Sequence, residues 1–164
     1  NKHPRVNILK PGCGVGGHCI AVDPYFIISN YKSEAKLMSL SRKINNFKPL
    51  WVIEKIKSAS LTFQLEHEKK PKVAIMGLAF KPDIDDLRES PAIQIAHAVE
   101  ELDLIDVFFV EPNIENHENF QIIDFNTAIS DCDIIVFLVA HKEFYNLEIS
   151  KSKAVLDFCG ITYS

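Results

Sequence analysis

Apolar residues recur along this chain in two rhythms, and the change between them near residue 71 organises everything else. From Ser33 the spacing is helical. Ser33 is a side chain able to cap a helix start, and Leu37, Leu40, Ile44 and Phe47 follow at intervals of three and four, predicting a helix that ends near Asn45-Asn46. A second helix is expected from Pro49, since proline fits a first turn. Trp51, Ile53, Ile56, Leu61 and Leu65 carry it to Glu66-His67-Glu68-Lys69-Lys70-Pro71. This charged run reads as a boundary, and equally as a solvated helix end.

Beyond Pro71 the rhythm becomes that of buried strands alternating with helices. Lys72–Gly77 reads as a strand ending in a glycine turn, and Asp106–Val110 as a second strand closed by Glu111-Pro112. Asp133–Val139 reads as a core strand and Ala154–Phe158 as the last one, with weaker strand signals at 121–123. Ser90-Pro91 is a strong helix start, a serine N-cap followed by proline at the first helical position; Ile93, Ile95, Ala96, Val99 and Leu102 continue it. A short helix is expected near 126–130. Such alternation predicts an α/β fold, with a cysteine-bearing loop followed by helices over 1–70 and a Rossmann-like, doubly wound parallel sheet over 71–164. Ligands on these sheets bind at the carboxyl ends of the strands.

Residues 1–30 are predicted to be irregular, and they hold the most unusual stretch, Pro11-Gly12-Cys13-Gly14-Val15-Gly16-Gly17-His18-Cys19-Ile20-Ala21-Val22-Asp23-Pro24. So dense a run of glycine means that backbone must approach something closely. Gly12, Gly14 and Gly17 satisfy the dinucleotide pattern G-x-G-x-x-G, but a true fingerprint follows a strand and opens a helix. Here Pro11 precedes the turn and Asp23-Pro24 follows it, so no helix is expected to run through 18–24. A glycine loop delivering Cys19, with Asp23 four residues on, has the layout of a nucleophilic site. Two plainer readings compete. Free cysteines are commonly buried small hydrophobes, which suits Cys132, and Cys13, His18, Cys19 and Asp23 could be imagined around zinc. No C-x-x-C pair supports a metal, and none is expected.

A second loop, Leu78–Ser90, leaves the first strand at the ligand-binding edge. Lys81 and Arg88 beside a helix N-terminus suit phosphate groups, while Asp83, Asp85, Asp86 and Glu89 could instead make it a self-paired surface loop.

Composition removes several classes of function. With 18 basic against 22 acidic residues and a net charge of −4, a bulk nucleic-acid surface is not expected. No apolar run approaches the roughly 20 residues of a membrane span, and no signal peptide opens the chain. Four unpaired cysteines fit a reducing cytoplasm. The chain opens with Asn1 rather than Met, which suggests a piece of something longer.

The stretches Gly14–Pro24 and Gly77–Pro91 closely resemble the UDP-glucose/GDP-mannose dehydrogenase family, and the resemblance runs over nearly the whole chain. Asn1–Asn7 and Lys48–Ile53 are similar to its UDP-N-acetylmannosamine branch. The resemblance implies an NAD-dependent oxidation of a UDP-sugar C6 alcohol to a carboxylate in two steps. It makes Cys19 the nucleophile and Asp23 a proton-transfer partner, with Gly14, Gly16 and Gly17 lining the sugar pocket. It gives Lys81 to the substrate and Arg88 to NAD. His3 and Arg5 would reach across a homodimer interface into the partner's pocket. It also implies an NAD-binding domain ahead of residue 1, which would hold most of the cofactor. Two departures stand out: Cys13 occupies an expected proline position, and Cys159 stands where relatives carry a basic residue near the nucleotide. The alternatives are a non-catalytic nucleotide-sugar-binding fragment and a dehydrogenase for another UDP-hexose.

Overall fold

A computed structural model describes residues 4, 5, 8 and 10–162 of the 164-residue chain. Its elements run α1 (Asp23–Asn30), α2 (Lys36–His67), β1 (Lys72–Met76), α3 (Pro91–Glu100), β2 (Asp106–Val110), α4 (Phe125–Asp131), β3 (Ile134–Phe137), a 3-10 turn (Lys142–Phe144) and β4 (Ala154–Asp157). The four strands form one parallel sheet in the order β2-β1-β3-β4.

That order follows from burial on both faces. Along β1 and β3 successive side chains alternate between two apolar clusters, as a strand's period of two requires. Val73, Ile75, Ile134 and Val136 join α2 and α3 through Val52, Ile56, Ile95 and Val99. Ala74, Met76, Ile135 and Phe137 join α4 and the 3-10 turn through Ala128, Cys132 and Phe144. The chain moves outward from β1 to β2 over one face and returns past β1 to β3 over the other. The resulting switch point lies between the carboxyl ends of β1 and β3, where such sheets take ligands.

Three expectations are corrected. The two helices expected on either side of Asn45-Asn46 are one 32-residue helix, α2, with Pro49 inside it. A proline there forfeits the bond to the fourth carbonyl before it. Burial of Pro49, Val52, Ile53 and Ile56 against the sheet unit outweighs that loss. The cap also moves: α2 starts after Ala35, and the Ser33 hydroxyl donates to Glu34 instead. Finally, residues 1–30 are not all irregular. Asp23-Pro24 opens α1 rather than only ending the loop, with proline in the tolerated first turn and an acidic side chain at the positive end of the helix. The α3 start is as expected, Ser90 Oγ accepting the Ala92 amide. The weak strand at 121–123 shrinks to a single bridge between Phe109 and Ile122.

Candidate functional site

The glycine loop owes its composition to docking. A Cβ on Gly16 would lie 2.5 Å from the Glu89 carbonyl oxygen and 2.8 Å from Phe80 Cβ, and one on Gly14 would press on Pro91 at 3.1 Å. Gly17, at φ +83°, faces the Phe80 ring at 2.9 Å. All three contacts are made by the loop that leaves β1, so the glycines let the first segment's backbone lie directly on the second's. Gly17 N–H donates to the Arg88 carbonyl at 3.1 Å, and Asn45 Oδ1 accepts the Val15 amide at 3.0 Å. Asn46 Nδ2 ties to the Tyr25 hydroxyl at 2.7 Å. Asn45 and Asn46, a helix end by sequence signals, are instead the posts on which the loop and α1 are strung. The loop leads into a turn and α1 starts only at Asp23, so no helix opens directly on the glycines as a dinucleotide turn requires.

This docking sorts the cysteines. Cys13 is buried with its thiol directed to the Leu138 carbonyl at 3.5 Å, and burial pushes it up to about 12. Burial likewise pushes Cys132 up to about 11, and raises Cys159 further with help from neighbouring Asp157. Cys19 alone is exposed. It stands on the turn that leads into α1, its carbonyl accepting the Val22 and Asp23 amides at 3.0 and 2.8 Å. Cys13 and Cys19 are thus in opposite environments, one buried and one exposed.

Arg88 lies beside this turn, its backbone carbonyl accepting the Gly17 amide. Its Nε and Nη2 fork onto the Asp86 carboxylate at 3.0 and 2.6 Å, and that contact holds Asp86 down at about 2. The guanidinium is therefore pre-aimed, not free to wander.

Around the turn that follows β1 stand buried polar residues that sequence reasoning missed, Glu111 and His141. Glu111, at the end of β2, is buried, and its Oε2 accepts the Leu78 and Ala79 amides at 2.7 and 3.0 Å. Its Oε1 accepts the Asn113 amide, and Oε2 lies 3.0 Å from His141 Nε2. Burial alone would raise this carboxyl, but the His141 contact and the amides outweigh it and hold it at about 2. A carboxylate thus occupies the place where this kind of turn would cradle phosphate. The α3 N-terminus is closed as well, because Pro91 has no N–H and Ser90 caps Ala92. The phosphate-binding expectation for this edge accordingly rests on Lys81, not on the helix terminus.

Between the glycine loop and the switch point lies a cavity of about 590 Å³, within the usual size of small-molecule sites. Gly14, Gly16 and Ile20 line it from one side, Phe80 and Lys81 from another, and Leu138 and Cys159 from the sheet edge. The structure therefore brings Gly14, Gly16 and Lys81 together, with Cys19 one residue from the wall. Gly17, Asp23 and Arg88 stand outside the lining; Asp23 and Arg88 are exposed, and Gly17 is buried against Phe80. Arg5 is exposed in a turn with Pro4, while His3 lies outside the described residues. Cys159 does line the cavity, so the expected basic position is a protonated thiol on a turn tied by Asp157 to the amides of Cys159, Gly160 and Thr162. Lys10, from the glycine-loop side, joins Lys81 in the lining.

Comparison with known proteins gives the same pairing of parts. The profile of the UDP-glucose/GDP-mannose dehydrogenase family, UDP binding domain, matches residues 74–163, and that of the family's central domain matches residues 1–47. Proteins named UDP-N-acetyl-D-mannosamine dehydrogenase from Campylobacter jejuni and Yersinia pestis are 45% and 44% identical over 97% and 98% of this chain, which covers 39% and 41% of theirs. A UDP-D-ManNAc dehydrogenase structure from Pyrococcus horikoshii has a TM-score of 0.76 at 30% identity, over 97% of this chain and 38% of that one. The chain spans about two fifths of the length of these relatives. By the match of its sheet unit, its glycine-loop segment and its overall fold, the chain belongs to the UDP-glucose/GDP-mannose dehydrogenase family.

Proposed function

We propose that this chain supplies the nucleophile and the substrate-binding unit of an NAD-dependent UDP-sugar 6-dehydrogenase, acting on UDP-N-acetyl-D-mannosamine. The observation that carries the reading is the single exposed thiol, Cys19, presented by the docked glycine loop at the edge of the switch-point cavity. Residues 1–70 would form the end of the central domain, and 71–164 the nucleotide-sugar domain. Relatives named for UDP-N-acetyl-D-mannosamine support this sugar. A relative from Ralstonia solanacearum named NDP-N-acetyl-D-galactosaminuronic acid dehydrogenase, 43% identical, keeps a second acetamido sugar open.

In this reading Cys19 adds through sulfur to the C6 aldehyde, forming a thiohemiacetal. Oxidation of that adduct leaves a thioester, which water cleaves to the acid while the thiol is restored. Asp23, whose backbone amide donates to the Cys19 carbonyl, takes part in the proton transfers. A nicotinamide bound here would accept the hydrides. The self-occupied β1 turn makes this sheet unit a poor host for the dinucleotide's own phosphates, so from this chain Arg88 would offer one contact to it. The chain by itself is therefore expected to form no NADH from UDP-sugars.

Lys81 provides the direct test. A charge-assisted contact to the diphosphate contributes about 1.5–3 kcal/mol. Lys81→Ala is accordingly expected to weaken UDP by roughly tenfold to a hundredfold in calorimetric titration, with uridine affected far less. Equal UDP affinity would return Lys81 to the surface-loop reading.

The α2 surface supports a homodimer. Leu37, Leu40, Ile44 and Phe47 are each more than half exposed and follow the 3-4 spacing of a helix-pairing seam. In the two-fold arrangement, His3 and Arg5 of one copy would complete the other's sugar pocket. Leu40→Glu with Ile44→Lys is expected to turn a dimer into a monomer by light scattering. An unchanged mass would assign the stripe to another cover.

A further inference from the structure

We propose that His141 is a positioning residue for Lys81: its ring, accepting through Nδ1, holds the 79–83 turn in place at the cavity edge. The inference deepens the UDP-site reading and rests on it for its consequence, though not for its mechanism.

The hydrogen bonds leave the ring one arrangement. Glu111 is an ionised acceptor already taking the Leu78 and Ala79 amides on Oε2. An acceptor-only group 3.0 Å from His141 Nε2 requires that this nitrogen carry the hydrogen. Nδ1 is then a lone pair, and it faces two donors, the Asp83 amide at 3.0 Å and Asn113 Nδ2 at 3.0 Å. One buried dyad thus grips the Ala79–Asp83 segment at both ends, Glu111 at Ala79 and His141 at Asp83, and Lys81 stands midway between them. Asp83 is held at φ +61°, a conformation a non-glycine residue keeps only when its surroundings impose it. Its carboxylate accepts the Lys142 amide at 2.8 Å, the one other tie on that end.

A side chain with no acceptor at the Nδ1 position would leave the Asp83 amide without this partner. The charged and titratable groups around His141 are Glu111 on the β2 side, Asp83 on the β1 loop with its carboxylate 4.0 Å away, and Glu143 and Lys142 on the 3-10 turn. Donor atoms of Asp83, His141 and Glu143 lie within 4.8 Å of one another. With Nδ1 engaged by the Asp83 amide, the group works as a hydrogen-bond cluster and not as a ligand set.

The test uses the full chain and two variants. The amide of His141→Asn falls where Nδ1 was and can accept the Asp83 N–H. That of His141→Gln falls where Nε2 was, and can serve Glu111 but not Asp83. Hydrogen exchange is expected to show protection over 79–86 kept by His141→Asn and lost by His141→Gln, while β1 stays protected in both. UDP should bind His141→Asn as it binds wild type, and His141→Gln about tenfold more weakly. Equal protection over 79–86 in wild type and His141→Gln, or its loss in both variants alike, overturns the proposal. If UDP fails to bind wild type, the nucleotide reading falls, and the exchange measurement still decides the role of His141.

Discussion

Joined to an NAD-binding front part, a Cys19→Ala chain is expected to stop producing the sugar acid, with a loss of at least about a thousandfold, the scale on which removing a covalent nucleophile acts. In the proposed reaction this exposed thiol is the group that would hold the aldehyde covalently between two oxidations. Sulfur adds readily to an aldehyde, and the thioester that follows is open to water. Cys13 cannot substitute for it, since its proton is committed to Leu138 and burial pushes it up to about 12. The same contrast has a check that needs no turnover. Under native conditions iodoacetamide should label Cys19 first, with Cys13 and Cys132 protected until the chain unfolds. Sustained formation of acid by the alanine variant would remove Cys19 from the nucleophile role. Rapid native labelling of Cys13 would remove the structural basis for singling Cys19 out.

The sheet unit was legible in the sequence because its signals are local. The fully apolar runs of β1 and β3, the Ser90-Pro91 cap and the Glu111-Pro112 stop each act within a few residues, and each stands where its chemistry predicts. The α2 helix was not legible across Asn45–Pro49, because what keeps it continuous is distant: Pro49, Val52 and Ile56 buried against elements many residues away. The glycine loop divides in the same way. Its density announced a close approach, but the partner, Phe80 and Glu89, lies in another segment of the chain. His141 carried no signal, and Glu111 only that of a strand stop. A lone acid after a strand and a lone histidine after another are ordinary surface residues until the parallel order β2-β1-β3 sets their two strand ends around the same turn. The Glu111-Pro112 dipeptide, read only as a strand terminator, was the clue available.

Gly16→Ala is expected to be strongly damaging, while Gly12→Ala a few residues earlier is expected to be nearly silent. At Gly12 an added methyl meets nothing within 4 Å. At Gly16 it meets the Glu89 carbonyl oxygen at 2.5 Å, Phe80 Cβ at 2.8 Å and Pro91 Cδ at 2.9 Å. None of these is the loose end of a flexible side chain: one is backbone, one is fixed at its root, and one belongs to a ring that starts α3. Glu89 itself is held at φ +51°, between a turn and the Ser90 cap, so it has little room to yield. Overpacking of this kind costs typically 1–3 kcal/mol, which in a domain of this size lowers the melting temperature by several degrees. The loop has a second way out, which is to lift off the 80–91 segment and break the Gly17–Arg88 backbone bond. That response moves Cys19 away from Lys81 and separates the thiol from the cavity. Thermal melts of the two variants measure the first effect. UDP-sugar oxidation in the joined enzyme measures the second, where Gly16→Ala should lose turnover out of proportion to its stability. If Gly12→Ala and Gly16→Ala melt and turn over alike, the glycines serve chain flexibility, and docking on the β1 loop is not what positions the nucleophile.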